Sequence, residues 1–168
     1  MQLSTCDMSD QHEDVAQIAP PLFRDFGGRA QFHGRAVTVK CFEDNSRVKE
    51  LLATPGHGHV LVVDGGGSTR CALMGDMIAK DAVAHGWEGV IVFGCVRDTA
   101  VLATLDLGIK ALGAMPKRST RRGEGVAHLA IDLAGVRVAE GDVIVADQDG
   151  LIVLPPEYAH LLTASPDY

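Results

Sequence analysis

Val60-Leu61-Val62-Val63-Asp64 runs into Gly65-Gly66-Gly67, and then Gly75-Asp76 is separated from Arg97-Asp98 by the twenty residues 77–96. Inside that gap lies a second apolar run, Gly89-Val90-Ile91-Val92-Phe93-Gly94. β-Branched runs of this length, bounded by glycine, read as buried strands. Met77 to His85 reads as a helix that stops at Gly86. Strand, helix, strand at this length makes a βαβ unit with a right-handed crossover. Both loops then leave the carboxyl edge of a parallel sheet, where open α/β folds bind ligands.

The residues on those loops suit an anionic substrate held on a metal. With Asp76 as N-cap, the amides of Met77 and Ile78 lack partners within the helix and favour a carboxylate. Arg97 offers a planar fork that grips a carboxylate with two hydrogen bonds. Asp98 is a hard oxygen ligand of the kind magnesium or manganese accepts, usually with several waters retained. The competing reading is a capping Asp, a surface ion pair between neighbours and ordinary glycine turns, because short motifs match by chance.

Outward from this unit the order is legible. Residues 4 to 12 are expected to form a short helix capped by Ser4 or Thr5, and residues 19 to 29, with Pro20-Pro21 and Gly27-Gly28, a loop. A strand is expected near Gln31 to Cys41, and Asp44-Asn45-Ser46 caps a helix through Ala53. Thr99 to Leu105 reads as a helix and Ile109 to Ala114 as a strand. Lys117 to Arg122 reads as a basic, flexible stretch, after which short strands alternate with turns at Gly135, Gly141-Asp142 and Asp149-Gly150. Residues 157 to 164 form a short terminal helix. The expected architecture is α/β, a parallel segment joined to antiparallel C-terminal strands, in one domain spanning 1–168.

Composition narrows the function classes. A hydrophobic share of 46% supports a packed core rather than disorder. The net charge of −7 argues against direct nucleic-acid binding, which needs a basic footprint. No apolar run is long enough for a membrane helix, and the N-terminus has no basic segment leading into an apolar one, so neither membrane span nor signal peptide is expected. Cys6, Cys41, Cys71 and Cys95 form no CxxC pair, which suits a reduced cytoplasmic protein. Cys95 is expected to be a buried structural thiol. Gly65-Gly66-Gly67 lacks the GxGxxG spacing of a dinucleotide site, and its expected role is to let backbone pass close to substrate. His57-Gly58-His59 lies at the amino end of its strand, away from the site, and reads as a solvated turn. Lys117 to Arg122 reads first as a solvated loop, second as an electrostatic guide for a dicarboxylate. Glu43-Asp44-Asn45 reads first as a helix cap, second as part of the site rim.

Several stretches resemble the RraA-like family, named for regulator of ribonuclease activity A. They are Ser4-Thr5-Cys6-Asp7, Phe23-Arg24-Asp25-Phe26-Gly27-Gly28-Arg29, Thr38-Val39-Lys40-Cys41-Phe42-Glu43-Asp44-Asn45, Val62 to Ser68, Gly86-Trp87-Glu88-Gly89, Leu105 to Ala111 and Ala146-Asp147-Gln148-Asp149-Gly150. The resemblance implies a swivelling β/β/α fold and a ring-shaped homotrimer. It also implies one of two functions. One branch binds and inhibits ribonuclease E. The other is a set of metal-dependent class II aldolases that cleave 4-hydroxy-4-methyl-2-oxoglutarate to pyruvate and decarboxylate oxaloacetate. The aldolase branch is marked by Asp, a twenty-residue gap and Arg-Asp, which Asp76, Arg97 and Asp98 retain. By resemblance, Gly75, Asp76, Met77, Ile78 and Arg97 contact a small 2-oxo dicarboxylic acid, and Asp98 holds Mg2+ or Mn2+. In the mechanism expected of such a site, Arg97 neutralises developing charge and Asp76, directly or through a water, delivers a proton to the enolate. Some aldolases of the family add a C-terminal extension that supplies an acidic residue to a neighbour's site. This sequence ends at Tyr168 without a matching segment, so decarboxylation is expected to be less affected than aldol cleavage.

Overall fold

A computed structural model describes residues 3–163. Along the chain the elements are α1 (Thr5–Gln11), β1 (Gln17–Ile18), β2 (Arg24–Asp25), β3 (Phe32–Lys40), α2 (Ser46–Leu52), β4 (His59–Asp64), β5 (Ala72–Met74), α3 (Asp76–Ala84), β6 (Gly89–Val96), α4 (Thr99–Leu102), β7 (Gly108–Ala114), β8 (Val126–Ala127), β9 (Ile131–Leu133), β10 (Val136–Val138), β11 (Val143–Ala146), β12 (Leu151–Leu154) and a 3₁₀ helix, Pro156–Leu162. Ten strands form one mixed sheet in the order β1-β12-β11-β3-β4-β6-β7-β2, with β5 beside β6 and β8 beside β3. The β3, β4, β6 and β7 core of the sheet is parallel, and β11, β12 and β1 extend it antiparallel. β9 and β10 pair as a separate hairpin.

Strand alternation sorts the side chains into layers. Leu61 and Val63 of β4, with Val90 and Val92 of β6, face α2, α3 and α4 and bury Leu52, Ile78, Ala82 and Leu102. Val60, Val62 and Ile91 point to the opposite face, onto Ile131, Leu133, Val136 and Val138 of the hairpin. Helices, sheet and hairpin are therefore the three layers of the expected β/β/α arrangement. A third cluster forms where β11 and β12 meet α1 and the 3₁₀ helix, around Met8, Val143, Val145 and Ile152.

The capping chemistry is largely as the sequence implies. The Ser4 side chain accepts a hydrogen bond from the Asp7 amide and caps α1. Buried Asp147, in the β11–β12 turn, accepts from the Thr5 amide at 2.8 Å and the Thr5 hydroxyl at 2.6 Å, which pins α1 to the sheet. Gly86, at φ +80°, ends α3 with paired bonds from Gly86 to Val83 and from Trp87 to Ala82. This is a Schellman stop, and it requires the left-handed conformation that glycine adopts without strain.

Four expectations need correction. The 19–29 segment is not all loop, since Arg24–Asp25 pairs with β7 and completes one edge. A short strand, β5, lies between β4 and α3, and its three residues gave too little pattern to read. Residues 157–162 belong to a 3₁₀ helix, and residue 164 of the expected helix lies outside the described residues, as does Tyr168. Lys117 to Arg122 is not a flexible stretch but is tied down along its length, as described below. No helix among the described residues is long and apolar enough to cross a membrane.

Candidate active site

β5 and β6 run parallel, so their carboxyl ends deliver Gly75-Asp76 and Arg97-Asp98 to the same edge of the sheet. A cleft of about 670 Å³ opens there, lined on one side by Gly75, Asp76, Met77, Ile78, Arg97 and Asp98. All six sequence-predicted site residues are thus brought together. The rest of the lining is Met74, Asn45, Ala72 and residues Lys117 to Arg121, which form a second wall.

The loop geometry differs from expectation in one respect. Gly75, not Asp76, is the N-cap of α3, and Asp76 is its first helical residue. The Asp76 amide is already taken: it donates to Asp98 Oδ2 at 3.1 Å. The Met77 and Ile78 amides also lack an intrahelical acceptor, and the Met77 amide lies against the Asp76 carboxylate. Asp98 adopts φ +58°, a left-handed conformation that Asp tolerates better than most residues, and this turns its carboxylate back toward α3. Gly75 is required by close approach alone. A Cβ there would lie 2.5 Å from Asp98 Oδ2 and 3.2 Å from Arg97 Cγ. Gly75→Ala is therefore expected to displace both side chains and to lower substrate affinity at least tenfold while changing the melting temperature little. Binding titration beside thermal unfolding checks this, and an Ala variant of unchanged affinity would contradict the packing described.

The surroundings of Asp76 fix its charge. Desolvation works to raise the Asp76 pKa. The Lys80 hydrogen bond and charge, the contact with Asp98 and the Met77 amide outweigh it and hold Asp76 below the usual value. Asp76 is therefore ionised at neutral pH and suited to accept a proton. Lys80 Nζ sits 3.4 Å from Asp76 Oδ2, one helical turn away. Arg97 Nη1 donates to the Pro116 carbonyl at 3.3 Å, and its Nε lies 4.0 Å from Asp98 Oδ2. Its Nη2 has no protein partner among the described residues.

A cation site fits these residues in a limited way. Asp98 Oδ2 is engaged by the Asp76 amide, and Oδ1 remains open. Among the described residues no group of three or more His, Cys, Asp or Glu is placed to hold a metal. A single carboxylate matches a hard cation that keeps most of its water shell, and does not match a zinc centre.

The far wall holds the residues that sequence reading undervalued. Asp44 is fully buried; its Oδ1 accepts from the Ser46 amide at 2.9 Å and hydroxyl at 2.6 Å, and its Oδ2 from the Arg122 amide at 2.6 Å. The Glu43 carbonyl accepts from the Thr120 amide, and the Ser46 hydroxyl from the Gly123 amide. Ala72 donates to the Lys117 carbonyl at 2.7 Å. These bonds convert the basic segment into a fixed strap over the cleft. Of Glu43-Asp44-Asn45, only Asn45 lines the cleft; Glu43 is engaged by Ser68 and Arg70.

Burial alone would raise the Asp44 pKa, but the hydrogen bonds from Ser46, Arg122 and Glu124 prevail and lower it. The sign of the linkage follows. A depressed carboxyl contributes stability that is fully present above the ordinary value of 3.8 and lost as pH falls through the folded pKa. Asp44→Asn puts an amide group among several donors and is expected to cost roughly 1–3 kcal/mol at pH 7. Its unfolding free energy should also fall less than that of the native chain between pH 5 and about pH 2. Urea titrations at both pH values check this; identical pH dependence would contradict the assignment.

The other candidates settle quietly. Gly65-Gly66-Gly67 does not line the cleft and forms a turn against Phe42, Leu73 and Phe93, correcting the expected approach to substrate. His59 Nδ1 bonds the His57 carbonyl within its own turn. Cys95 is buried and unpaired, and burial raises its thiol pKa, as expected of a structural cysteine.

Fold and site together define a three-layer β/β/α protein with a cleft, lined by four basic and two acidic residues, at the carboxyl edge of its parallel strands. A family model described as RraA-like, Aldolase/RraA, matches residues 5–153, and the chain belongs to this RraA-like family. A protein of Alkalilimnicola ehrlichii named "Putative 4-hydroxy-4-methyl-2-oxoglutarate aldolase" is 52% identical over 153 residues, 91% of this chain and 95% of its own. The solved structure of the RNA-processing inhibitor RraA from Thermus thermophilus is 44% identical, with TM-score 0.89 over 92% of this chain and 94% of that one. A Geobacillus kaustophilus structure named S-adenosylmethionine:2-dimethylmenaquinone methyltransferase is 39% identical, with TM-score 0.91 over 94% and 98%.

Proposed function

We propose that the protein is a metal-dependent carbon–carbon lyase that cleaves 4-hydroxy-4-methyl-2-oxoglutarate to two molecules of pyruvate and decarboxylates oxaloacetate. The observation that carries this reading is the meeting of Asp76, the Met77 and Ile78 amides, Arg97 and Asp98 in one cleft. The helix amides receive the carboxylate of the pyruvyl end. Arg97 holds the same end and neutralises charge that develops on the 2-oxo oxygen. Asp76, ionised, takes the C4 hydroxyl proton directly or through a water, and returns it to C3 after the C3–C4 bond breaks. Asp98 is the residue that would hold Mg2+ or Mn2+, which would supply Lewis-acid stabilisation of the enolate. Methyl transfer is not supported, because the Gly65-Gly66-Gly67 turn packs on Phe42, Leu73 and Phe93 and does not line the cleft.

Pyruvate release from either substrate with magnesium or manganese present tests the proposal. Absence of turnover on both, with either metal, overturns it.

A second reading, a regulator that docks on ribonuclease E, is favoured by the likeness to the Thermus inhibitor. Capture of ribonuclease E at low salt, where acidic surfaces act most strongly, separates the two. The lyase reading also carries a homotrimer in the cytoplasm. Exposed Phe42, Met77 and Val126 and four unpaired cysteines support it, and sedimentation as a monomer at micromolar concentration would contradict the trimer.

A further inference from the structure

We propose that Arg121 is the receptor for the substrate's remote carboxylate, and that its grip favours aldol cleavage, in which that carboxylate is retained, over decarboxylation, in which it is lost. This rests on the lyase reading and extends it to selection between the two reactions.

The cleft has a local charge opposite to that of the whole protein. Arg97, Lys117, Arg118 and Arg121 line it together with two carboxylates, Asp76 and Asp98, within a chain of net charge −7. Four cations against two anions leave an excess of two positive charges. Arg97 and the helix amides account for one carboxylate of the substrate. A second anionic group matches the remaining basic residues, Lys117, Arg118 and Arg121.

Among these three, Arg121 is the one with a fixed head. Its Nε donates to Asn45 Oδ1 at 3.1 Å. Asn45 is itself 6% exposed, and its Nδ2 donates to the Leu73 carbonyl at 3.1 Å. That bond orients the amide so that its oxygen is presented to Arg121. On either side, the Thr120 amide is held by the Glu43 carbonyl and the Arg122 amide by buried Asp44. Arg121 is thus positioned through both its main chain and its Nε. Its Nη1 and Nη2 have no protein partner among the described residues. A guanidinium held this way loses little freedom on binding and offers a two-pronged grip. Lys117 and Arg118 are exposed, as Arg121 is, but unlike it their side chains make no hydrogen bond among the described residues, so they steer rather than position.

The two reactions use a remote carboxylate differently. In cleavage of 4-hydroxy-4-methyl-2-oxoglutarate, the C4 hydroxyl proton leaves, C4 becomes a ketone, and the C3–C4 electron pair enters the enolate. The carboxylate on C4 keeps its charge throughout and departs on the second pyruvate. In oxaloacetate the C4 carboxylate becomes carbon dioxide, and its charge moves into the enolate. A cation that grips this carboxylate stabilises the ground state more than the transition state. For the aldol substrate the same grip binds both states and aligns the breaking bond.

Three rates on the full chain with magnesium test this: aldol cleavage, oxaloacetate decarboxylation, and exchange of pyruvate methyl protons with deuterium oxide, which uses the pyruvyl end alone. Arg121→Gln is expected to lower kcat/KM for aldol cleavage by roughly 10–100-fold, the effect of losing a hydrogen bond to a charged group. Methyl exchange should fall severalfold at most. For oxaloacetate, KM should rise while kcat does not fall with it, so the ratio of decarboxylation to aldol turnover increases. Equal losses in all three rates would overturn the proposal, as would an unchanged aldol kcat/KM. A native chain that catalyses none of the three reactions would instead remove the lyase reading itself, and this inference with it.

Discussion

Replacing Asp98 by Asn is expected to lower metal-dependent turnover on the order of 10³-fold in a protein that stays folded. Stabilisation of enolate charge by a divalent ion is worth several kcal/mol, and each 1.36 kcal/mol is tenfold in rate. Asn keeps the residue's shape and an oxygen that can accept from the Asp76 amide, now 3.1 Å from Asp98 Oδ2. It also tolerates the left-handed φ of +58°. What it loses is the charge that a hard cation requires. Asp98→Ala is a less clean probe, because it also removes the acceptor at the start of α3. That acceptor is worth about 1 kcal/mol by analogy with helix caps. Turnover at saturating metal, beside a melting curve, reads both effects. Near-full metal-dependent activity in folded Asp98→Asn would remove Asp98 from the metal site.

Arg97→Lys is expected to keep the fold and cation binding while lowering kcat/KM on the order of 10²-fold or more. Arg97 serves two partners at once: Nη1 holds the Pro116 carbonyl, and the rest of the fork faces the cleft. An ammonium on a flexible stem cannot do both with one geometry, and it cannot present two parallel donors to a carboxylate. The loss should appear in KM as well as kcat, since the same group binds the pyruvyl end and meets the developing charge. A Lys variant with unchanged kcat/KM would show that Arg97 is a surface ion pair with Asp98.

The local signals in the sequence carried the central βαβ unit. Alternation along Val60 to Val63 and Val90 to Val92 separates the two faces of the sheet, and Gly86 ends α3 where a left-handed residue is needed. The six near-wall site residues were legible from the Gly75-Asp76 and Arg97-Asp98 pairs themselves, although β5, whose end delivers the first pair, was not. The opposite wall was not legible in the same way. Its order depends on Asp44 bonding the Arg122 amide 78 positions away, and on Asn45 bonding Arg121 76 positions away. Read locally, a capping triplet and a run of cations look like two solvated features. The signal that was available is chemical: Asp44-Asn45-Ser46 offers more hydrogen-bonding groups than one helix end uses. Asp76 was misplaced by one residue because Asp is a favoured cap, whereas here the cap is Gly75 and the orphan amide of Asp76 is served from Asp98. Phe32 also left no readable trace of its partners. It packs over Gly89 and Gly108, where added Cβ atoms would approach its ring to 2.3 and 2.0 Å, so those glycines are seats for an aromatic ring as well as strand boundaries.

The claim at the centre of this account is that the cleft stabilises the enolate of pyruvate. Exchange of the pyruvate methyl protons in deuterium oxide, followed by proton NMR with magnesium present, tests it without any assumption about the natural substrate. The account predicts rapid exchange by the native protein, suppressed by chelation of the metal and on the order of 10³-fold slower in Asp98→Asn. Exchange no faster than in buffer with magnesium alone, or equal in the native and Asp98→Asn proteins, would contradict it.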